Sequence, residues 1–208
     1  MKKILILLFS IFLLSSPPVF ADDISDFSIE GISIGDSLLD YMTEDEIFEE
    51  IELNKYDYPY LNEPNKYAEV YIRKEFKIYE YISVFINNKS SSKYLNNKNE
   101  KYIILGIRGM IVYNEDFDNC IQKRDEIAEE LSMMLPNSYK SEYHLVHPFD
   151  PSGNSFQEHV SFDFDSGEIV DVNCNNFEET LRIKHDRYEG LNIQLYNKEI
   201  TSWMRNRP

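Results

Sequence analysis

The sequence predicts an α+β fold, with an antiparallel sheet of about six strands in two three-strand groups and helices packed on one face of the sheet. Three observations support this prediction. Apolar residues alternate with polar ones along several short segments, which is the strand period. Two longer segments, 43–53 and 116–135, carry apolar residues at helical spacing. The predicted strands follow one another in groups and do not alternate with helices, which is typical of antiparallel sheets.

The first predicted helix follows a short extended segment at 27–34. Thr43 is placed to cap this helix, and Glu46, three residues later, completes a capping box. Met42 and Ile47 have the spacing of a hydrophobic staple. The apolar face extends to about residue 53. Three acidic residues on the other side are predicted to face solvent: Glu49, Glu50 and Glu52.

The first group of predicted strands covers 67–73, 77–87 and 102–113. In the second of these, four apolar residues share one side: Ile78, Ile82, Val84 and Ile86. The third carries four more: Ile103, Leu105, Ile107 and Ile111. Gly106 and Gly109 indicate a bulge or a close packing point in this strand.

The second helix, predicted over 116–135, has an apolar stripe that includes Cys120, and Pro136 ends it. The stretch "HVSFDFDSGEIVDVNC", 159–174, predicts a β-hairpin that turns at Asp165-Ser166-Gly167. A strand at 191–196 and a short closing helix complete the chain. That helix has three apolar residues on one side: Ile200, Trp203 and Met204.

The N-terminus reads as an export signal. Lys2 and Lys3 precede an apolar run at 4–14, and small residues end the segment at Ala21. The run is shorter than the ~20 residues that a helix needs to cross a bilayer. We therefore predict a signal peptide at 1–21 and a single α+β domain at 22–208, with two packed halves, 22–113 and 114–208, as an alternative division. We expect a periplasmic or secreted protein with no stable membrane insertion after cleavage.

Charge excludes one class of partner. Residues 1–21 contain two of the 21 basic residues and none of the 37 acidic ones, so the rest of the chain has 19 basic residues and a formal charge of −18. Phosphate backbones would repel such a chain, and no cluster of Lys and Arg offsets this repulsion. We expect no nucleic-acid partner, and no motif in the sequence calls for a cofactor.

The tetrapeptide Gly35-Asp36-Ser37-Leu38 resembles the first block of the GDSL esterase and lipase family. The resemblance implies that Ser37 is a catalytic nucleophile. It covers these four residues only. In that family a late Asp-x-x-His supplies the base, whereas the residues three positions before the four histidines are Ser141, His144, Phe156 and Arg182. A serine without a base is a poor nucleophile.

Helix capping is the structural alternative for this tetrapeptide. Ser37, or Asp36, would cap a helix that begins at Leu38, with Asp40 at its third position. Gly35 would supply backbone freedom before the helix.

Two other motifs superficially resemble metal-binding sites. His144 and His147, with Glu158-His159 nearby, offer ligands that suit zinc. Their Pro- and Gly-containing surroundings, however, lack the helical placement of strong zinc motifs. The stretch "DFDSGE", 163–168, is similar to a calcium loop, but its glycine lies at the fifth position and Cys174 stands at the twelfth. We predict a hairpin turn for the second motif and assign no metal-binding residue.

Across its length the chain resembles a group of uncharacterised exported bacterial proteins. The shared marks are "GISIGDSLLDY" after the signal, the "FDFDSGE" hairpin and a cysteine near the end of the following strand. The resemblance implies an exported, single-domain protein and assigns no activity. The favoured hypothesis is a non-enzymatic protein that binds an envelope protein or component through an exposed sheet face or through the aromatic segment 56–60. The alternative is a hydrolase that uses Ser37, or a metal held by His144 and His147.

The two cysteines, Cys120 and Cys174, are predicted to form a disulfide. An exported chain passes through an oxidising compartment, and two cysteines allow one intramolecular pairing. Each lies on the apolar side of its predicted element, so a helix packed on the sheet can bring the two sulfur atoms together.

Overall fold

A computed structural model describes residues 5–6, 24–54, 67–87, 101–147 and 150–206. Within these residues, seven strands form one antiparallel sheet: β1 (Tyr67–Tyr71), β2 (Tyr81–Asn87), β3 (Ile104–Val112), β4 (Tyr139–Val146), β5 (Phe156–Asp163), β6 (Ile169–Asn176) and β7 (Gly190–Tyr196). Their order across the sheet is β1-β2-β3-β7-β6-β5-β4. Each group of consecutive strands is a meander, and β3 joins the two groups by pairing with β7.

Four α-helices lie in the described residues: α1 (Glu44–Asn54), α2 (Phe117–Met134), α3 (Glu179–Lys184) and α4 (Lys198–Arg205). Short 3-10 turns cover Ile24–Asp26 and Leu38–Asp40, and Leu5–Ile6 pairs in parallel with Phe27–Ser28. None of the described helices is both long and apolar enough to cross a membrane.

The main core lies on one face of the sheet, beneath α1, α2 and the segment 24–42. Ile47 of α1 and Ile127 and Leu131 of α2 pack there against Val84 and Val172 of the sheet. Burying such side chains stabilises the fold by roughly 1.5–3 kcal/mol each. This face therefore holds the structure together.

The general fold class is as predicted, but the sheet has one strand more than expected. The additional strand, β4, lies at an edge, and most of its side chains are exposed on both sides. It therefore lacks the apolar alternation by which the other strands were recognised. Helix α3 also went unpredicted, and it contains no buried residue.

The prediction that helices cover only one face is wrong for α4. Ile200 of α4 packs with Tyr67, Phe85 and Leu105 in a second apolar cluster. Tyr67 and Phe85 lie next in sequence to Ala68, Val84 and Ile86 of the main core, so the second cluster occupies the opposite face. The helix covers one end of that face.

Local predictions around α1 are confirmed in part. The backbone N–H of Thr43 donates to Glu46 Oε2 at 2.8 Å and Glu46 N–H donates to Thr43 Oγ1 at 3.3 Å, as a capping box requires. Glu50, predicted to face solvent, is instead buried, and it accepts hydrogen bonds from Arg73 and Asn54. The predicted extended segment at 27–34 is a strand only at Phe27–Ser28, and it then turns back on itself through an Ile29–Ile32 pairing.

Two strands of the first group differ in detail from the prediction. Strand β2 begins at Tyr81 and not at residue 77, because the N–H groups of Lys77 and Ile78 donate to the Glu30 carboxylate. In β3 the register shifts opposite Phe85 and Ile86. The shift places Leu105 in the second apolar cluster and Ile107 in the main core, so they do not share one face as predicted.

The close packing predicted at Gly106 and Gly109 is confirmed. A Cβ atom at Gly106 would lie 2.7 Å from Cδ1 of Tyr196, and one at Gly109 would lie 2.6 Å from Cδ1 of Tyr79. Aromatic rings occupy the space that larger residues would need.

The predicted hairpin and the disulfide are both present. Val160 pairs with Val172 across β5 and β6, and Gly167 closes the turn with a φ of 95°. Cys120 and Cys174 form a disulfide with their Cα atoms 6.0 Å apart, linking α2 to β6. The bond fits an oxidising, extracytoplasmic compartment.

Candidate functional site

The face of the sheet opposite α1 and α2 is predominantly polar where α4 does not cover it. We call this region the open face. Two rows of side chains cross it, following the strand register. One row is Tyr71, Ser83, Arg108, Gln194, Asp171, Ser161 and Ser141, and the other is Tyr81, Met110, Asn192, Asn173, His159 and Tyr143.

A hydrogen-bond network on the open face centres on Asp171. The Nδ1 atom of His159 lies 3.0 Å from both carboxylate oxygens, and Asn173 Nδ2 donates to Oδ1 at 2.7 Å. Asn192 Nδ2 in turn donates to Asn173 Oδ1 at 3.2 Å. The Tyr143 ring stacks on His159 with centroids 4.5 Å apart. Burial, together with the Asp171 charge and hydrogen bond, raises the pKa of the Tyr143 hydroxyl.

A second network lies nearer the β1 edge. Glu69 is fully buried, and one of its carboxylate oxygens accepts hydrogen bonds from Arg108 and from the Ser83 hydroxyl, the latter at 2.7 Å. Arg108 also donates to the Tyr71 hydroxyl at 3.0 Å. The pairing supplies the partner that a buried carboxylate needs. These polar groups are thus fixed in place before any ligand arrives.

A depression of about 560 Å³ lies over the part of the open face formed by β2, β3 and β7. We call it the larger depression. Its floor includes Ser83, Arg108 and Asn192, and Gln157 and Asn175 form one of its sides. The volume is within the range of ~300–1,000 Å³ that is usual for small-ligand sites.

Aromatic rings form the rim of the larger depression. Tyr81 and Tyr188 are 38% and 40% exposed, and their ring centroids lie 5.3 Å apart. The hydrogen bond that the Tyr81 hydroxyl makes with the Tyr188 hydroxyl is the largest of the effects that raise the pKa of Tyr81 to about 12. On another side the His147 ring contacts Phe177 edge-on, with centroids 5.2 Å apart. Burial and the nearby Arg187 charge lower the pKa of His147.

Two carboxylates hold the loops that carry this rim. Asp150 accepts hydrogen bonds from Ser152 N–H at 2.8 Å and Ser155 N–H at 2.7 Å, and the Ser155 carbonyl accepts from His147 N–H. Glu189 accepts from Phe177 N–H at 2.9 Å. The turn before Glu189 contains Asp186 at a φ of 47°, a conformation that costs energy for a residue other than glycine. These contacts place His147 and Phe177 at the depression.

A smaller depression of about 370 Å³ adjoins α4 and shares Gln157 with the larger one. His159, Ser161 and Asp171 are among its lining residues. The Ser161 hydroxyl donates to Asp163 Oδ2 at 3.3 Å, while His159 Nε2 lies 3.4 Å from Gln157 Oε1. The histidine therefore bonds to a carboxylate and an amide, and the serine bonds to a different carboxylate.

Ser37 lies away from the open face, in the segment that packs on the Ile103 end of β3. Its hydroxyl donates to the Lys101 carbonyl at 2.9 Å, and the residue is 4% exposed. It precedes the 3-10 turn Leu38–Asp40 but makes no side-chain capping bond, so the predicted capping role is wrong in that respect. Asp36 instead accepts from Ser33 N–H at 2.9 Å and from the Tyr41 hydroxyl at 2.7 Å. The tetrapeptide thus forms a structural turn.

His144 and His147 point to different sides of the sheet. His144 lies within strand β4, bonds to Glu158 at 2.8 Å and packs on Phe156, whose ring contacts Phe117 of α2. His147 lies at the larger depression. In the part of the chain that the structure describes, no group of three or more His, Cys, Asp or Glu side chains is arranged to hold a metal ion. The aromatic segment 56–60 lies outside the described residues.

Sequence reasoning identified an exposed sheet face but not the residues on it. The available signal was weak: polar residues alternate with apolar ones at Asp171 and Asn173 in β6 and at Asn192 and Gln194 in β7. Such positions usually face solvent, whereas Asp171, Asn173 and Asn192 are buried.

No protein-family model matches the sequence, and neither a curated protein nor a solved structure matches the chain. The likeness to exported bacterial proteins therefore remains a prediction.

Proposed function

We propose that this protein is an exported, non-enzymatic binding protein that holds an envelope component on the open face, at the larger depression. The observation that carries the proposal is the set of buried polar groups beneath a concave surface. Asp171, Asn173, Asn192 and Glu69 are all buried, and among the helices in the described residues α4 packs on this face at one end. Burying polar groups costs free energy unless they are hydrogen-bonded.

A sheet face that only had to remain soluble would not need such networks. Exposed charges would serve that purpose at lower cost. Fixed donors and acceptors at the floor of a cavity, with aromatic rings at its rim, match the usual composition of a ligand site. Their placement on strands of a sheet supports a preorganised binding surface.

The geometry favours binding over hydrolysis. A nucleophilic serine needs a base within hydrogen-bond reach, and the hydroxyls of Ser37 and Ser161 donate instead to a carbonyl and a carboxylate. His159 is stacked beneath Tyr143 and bonded to Asp171, which satisfies its ring. The described residues support binding more strongly than hydrolysis.

A thermal-shift panel tests the proposal. The protein lacking residues 1–21 would be melted with members of four classes: neutral saccharides, tripeptides, small carboxylates and nucleosides. A ligand at 100 times its Kd should stabilise the fold by about 2.7 kcal/mol. We expect at least one class to raise Tm, and a panel in which no class does so would contradict the proposal.

Two tryptophan substitutions test whether the ligand that raises Tm binds at the larger depression. Met110→Trp fills the larger depression, and Tyr139→Trp places the same side chain on the exposed edge strand, at a residue that is 74% exposed. The Tm rise should disappear in the first variant and persist in the second. An unchanged rise in a folded Met110→Trp protein would place binding elsewhere.

A further inference from the structure

We infer that the larger depression binds a neutral saccharide, and that Tyr81 and Tyr188 form the platform on which a sugar ring stacks. The inference rests on the proposed function and specifies its ligand class. It draws on three independent features of the lining: its charge balance, its aromatic pair and its side-chain amides.

The charges of the lining cancel, in a chain whose overall formal charge is −16. The lining has two acidic and two basic residues: Glu50, Asp186, Arg108 and Arg187. Glu50 is already ion-paired with Arg73, and Arg108 with Glu69. The other two, Asp186 and Arg187, are neighbours on an exposed turn. No net charge is therefore available to select an anionic or cationic ligand.

The aromatic pair offers a surface suited to the C–H side of a sugar ring. The Tyr81 and Tyr188 rings are tilted by 35° and are both partly exposed at the rim. The face of an aromatic ring is electronegative and attracts the positively polarised C–H groups of a pyranose. The hydroxyls of the two tyrosines are hydrogen-bonded to each other, which fixes the two rings relative to one another.

The side-chain amides supply paired donors and acceptors for hydroxyl groups. Gln157 Nε2 donates to Asn175 Oδ1, which fixes the two amides against each other. Asn192 is held by its hydrogen bond to Asn173 at 3.2 Å. A hydroxyl group both donates and accepts, so one sugar hydroxyl can bond to the oxygen of one amide and the nitrogen of the next. Uncharged groups of this kind match an uncharged polyol.

A peptide is the competing ligand, since amides also bind peptide groups. A free tripeptide brings an ammonium and a carboxylate, and the depression presents no buried unpaired charge to meet either one. An extended peptide would favour the edge of the sheet, where backbone groups are available. The saccharide is the better match to the lining.

Isothermal titration calorimetry tests the inference. The probes are three neutral disaccharides, maltose, cellobiose and N,N′-diacetylchitobiose, with trialanine and glucuronate as comparisons. We expect at least one disaccharide to bind and the comparisons not to bind. Tyr81→Ala should weaken that binding by about tenfold, and Tyr81→Phe, which keeps the ring, by less than about threefold.

Tyr139→Ala is the control, because Tyr139 lies on the edge strand outside both depressions. Should Tyr81→Ala fail to fold, Tyr188→Ala at the other ring provides the same test. Binding of trialanine or glucuronate without any disaccharide would overturn the inference and leave the proposed function standing. If no probe binds and no compound in the thermal-shift panel raises Tm, both the saccharide inference and the proposed binding function are overturned. Disaccharide binding that is equal in wild type and Tyr81→Ala would overturn the assigned platform.

Discussion

The Arg108 guanidinium donates a hydrogen bond to Glu69, a carboxylate that is fully buried on the edge strand β1. The second oxygen of that carboxylate, Oε2, has no hydrogen-bond partner within the described residues. Arg108 thus places a positive charge against the buried Glu69 carboxylate, beneath the larger depression.

Removing Arg108 alone should destabilise the protein strongly. Arg108→Met leaves a buried carboxylate without its counter-charge, and we expect a loss of about 3 kcal/mol in the free energy of unfolding. The double variant Glu69→Gln/Arg108→Met should lose less than the single variant. Urea denaturation of all four members of the cycle measures the coupling. Equal losses in the single and double variants would show that the charge pair does not determine this stability.

Reduction of the Cys120–Cys174 disulfide should lower Tm. The bond closes a segment with a sequence separation of 54 residues, and the chain-entropy model gives a stabilisation of about 4 kcal/mol for a loop of this length. Calorimetry with and without a reductant measures the effect. A double variant, Cys120→Ala/Cys174→Ala, is the control and should not respond to the reductant. Two free thiols in the unfolded, unreduced protein would contradict the assignment.

Substitutions at Ser37 should report a buried hydrogen bond and not a helix cap. Ser37→Ala removes the bond to the Lys101 carbonyl and should cost about 1 kcal/mol. Ser37→Asp should cost more, because it would place a carboxylate at a buried position opposite a carbonyl oxygen. Chemical denaturation compares the two variants, with Thr43→Ala as a true cap variant. An Asp variant as stable as wild type would restore the capping role.

The Asp150 loop should make stability depend on pH in the acidic range. Hydrogen bonds from Ser152 and Ser155 hold the pKa of Asp150 well below its ordinary value of about 3.9. A lowered pKa in the folded state contributes stability that is present above the ordinary value and is lost as the pH falls through the lower one. Wild-type Tm should therefore fall more steeply than that of Asp150→Asn between about pH 5 and about pH 2.

The control for this experiment is Asp165→Asn in the exposed turn between β5 and β6. It should keep the wild-type slope. Parallel slopes for wild type and Asp150→Asn would mean that the loop does not depend on the ionised carboxylate.

The parts of the fold that were predictable have one apolar and one polar side. The β5–β6 hairpin and helix α2 were recognised because Val160, Val172 and Leu131 repeat at the strand and helix periods. The edge strand Tyr139–Val146 was missed because it buries neither side, so burial places no constraint on its sequence. Glu50 was wrongly predicted to face solvent. Its partner, Arg73, lies 23 residues away in the sequence, so the pairing depends on tertiary structure.

The candidate site was less predictable than the fold, for a related physical reason. Its residues come from β2, β3, β5, β6 and β7, and they meet only through the sheet order. His159 and Asp171 pair because the β5–β6 register brings them near each other, and Asn192 joins them because β7 is inserted between β3 and β6. A polar residue at an alternate strand position looks the same in sequence whether it faces solvent or lies at the floor of a cavity.

The most direct test of the account is to locate the ligand on the molecule. Backbone amide chemical shifts of the ¹⁵N-labelled protein, lacking residues 1–21, would be followed by NMR as a responding compound from the thermal-shift panel is added. We predict that the changes cluster at Tyr81, Met110 and Asn192, on the three strands beneath the larger depression. Changes that cluster instead around Ser37, with the open face unaffected, would contradict the central claim that the open face is the binding site.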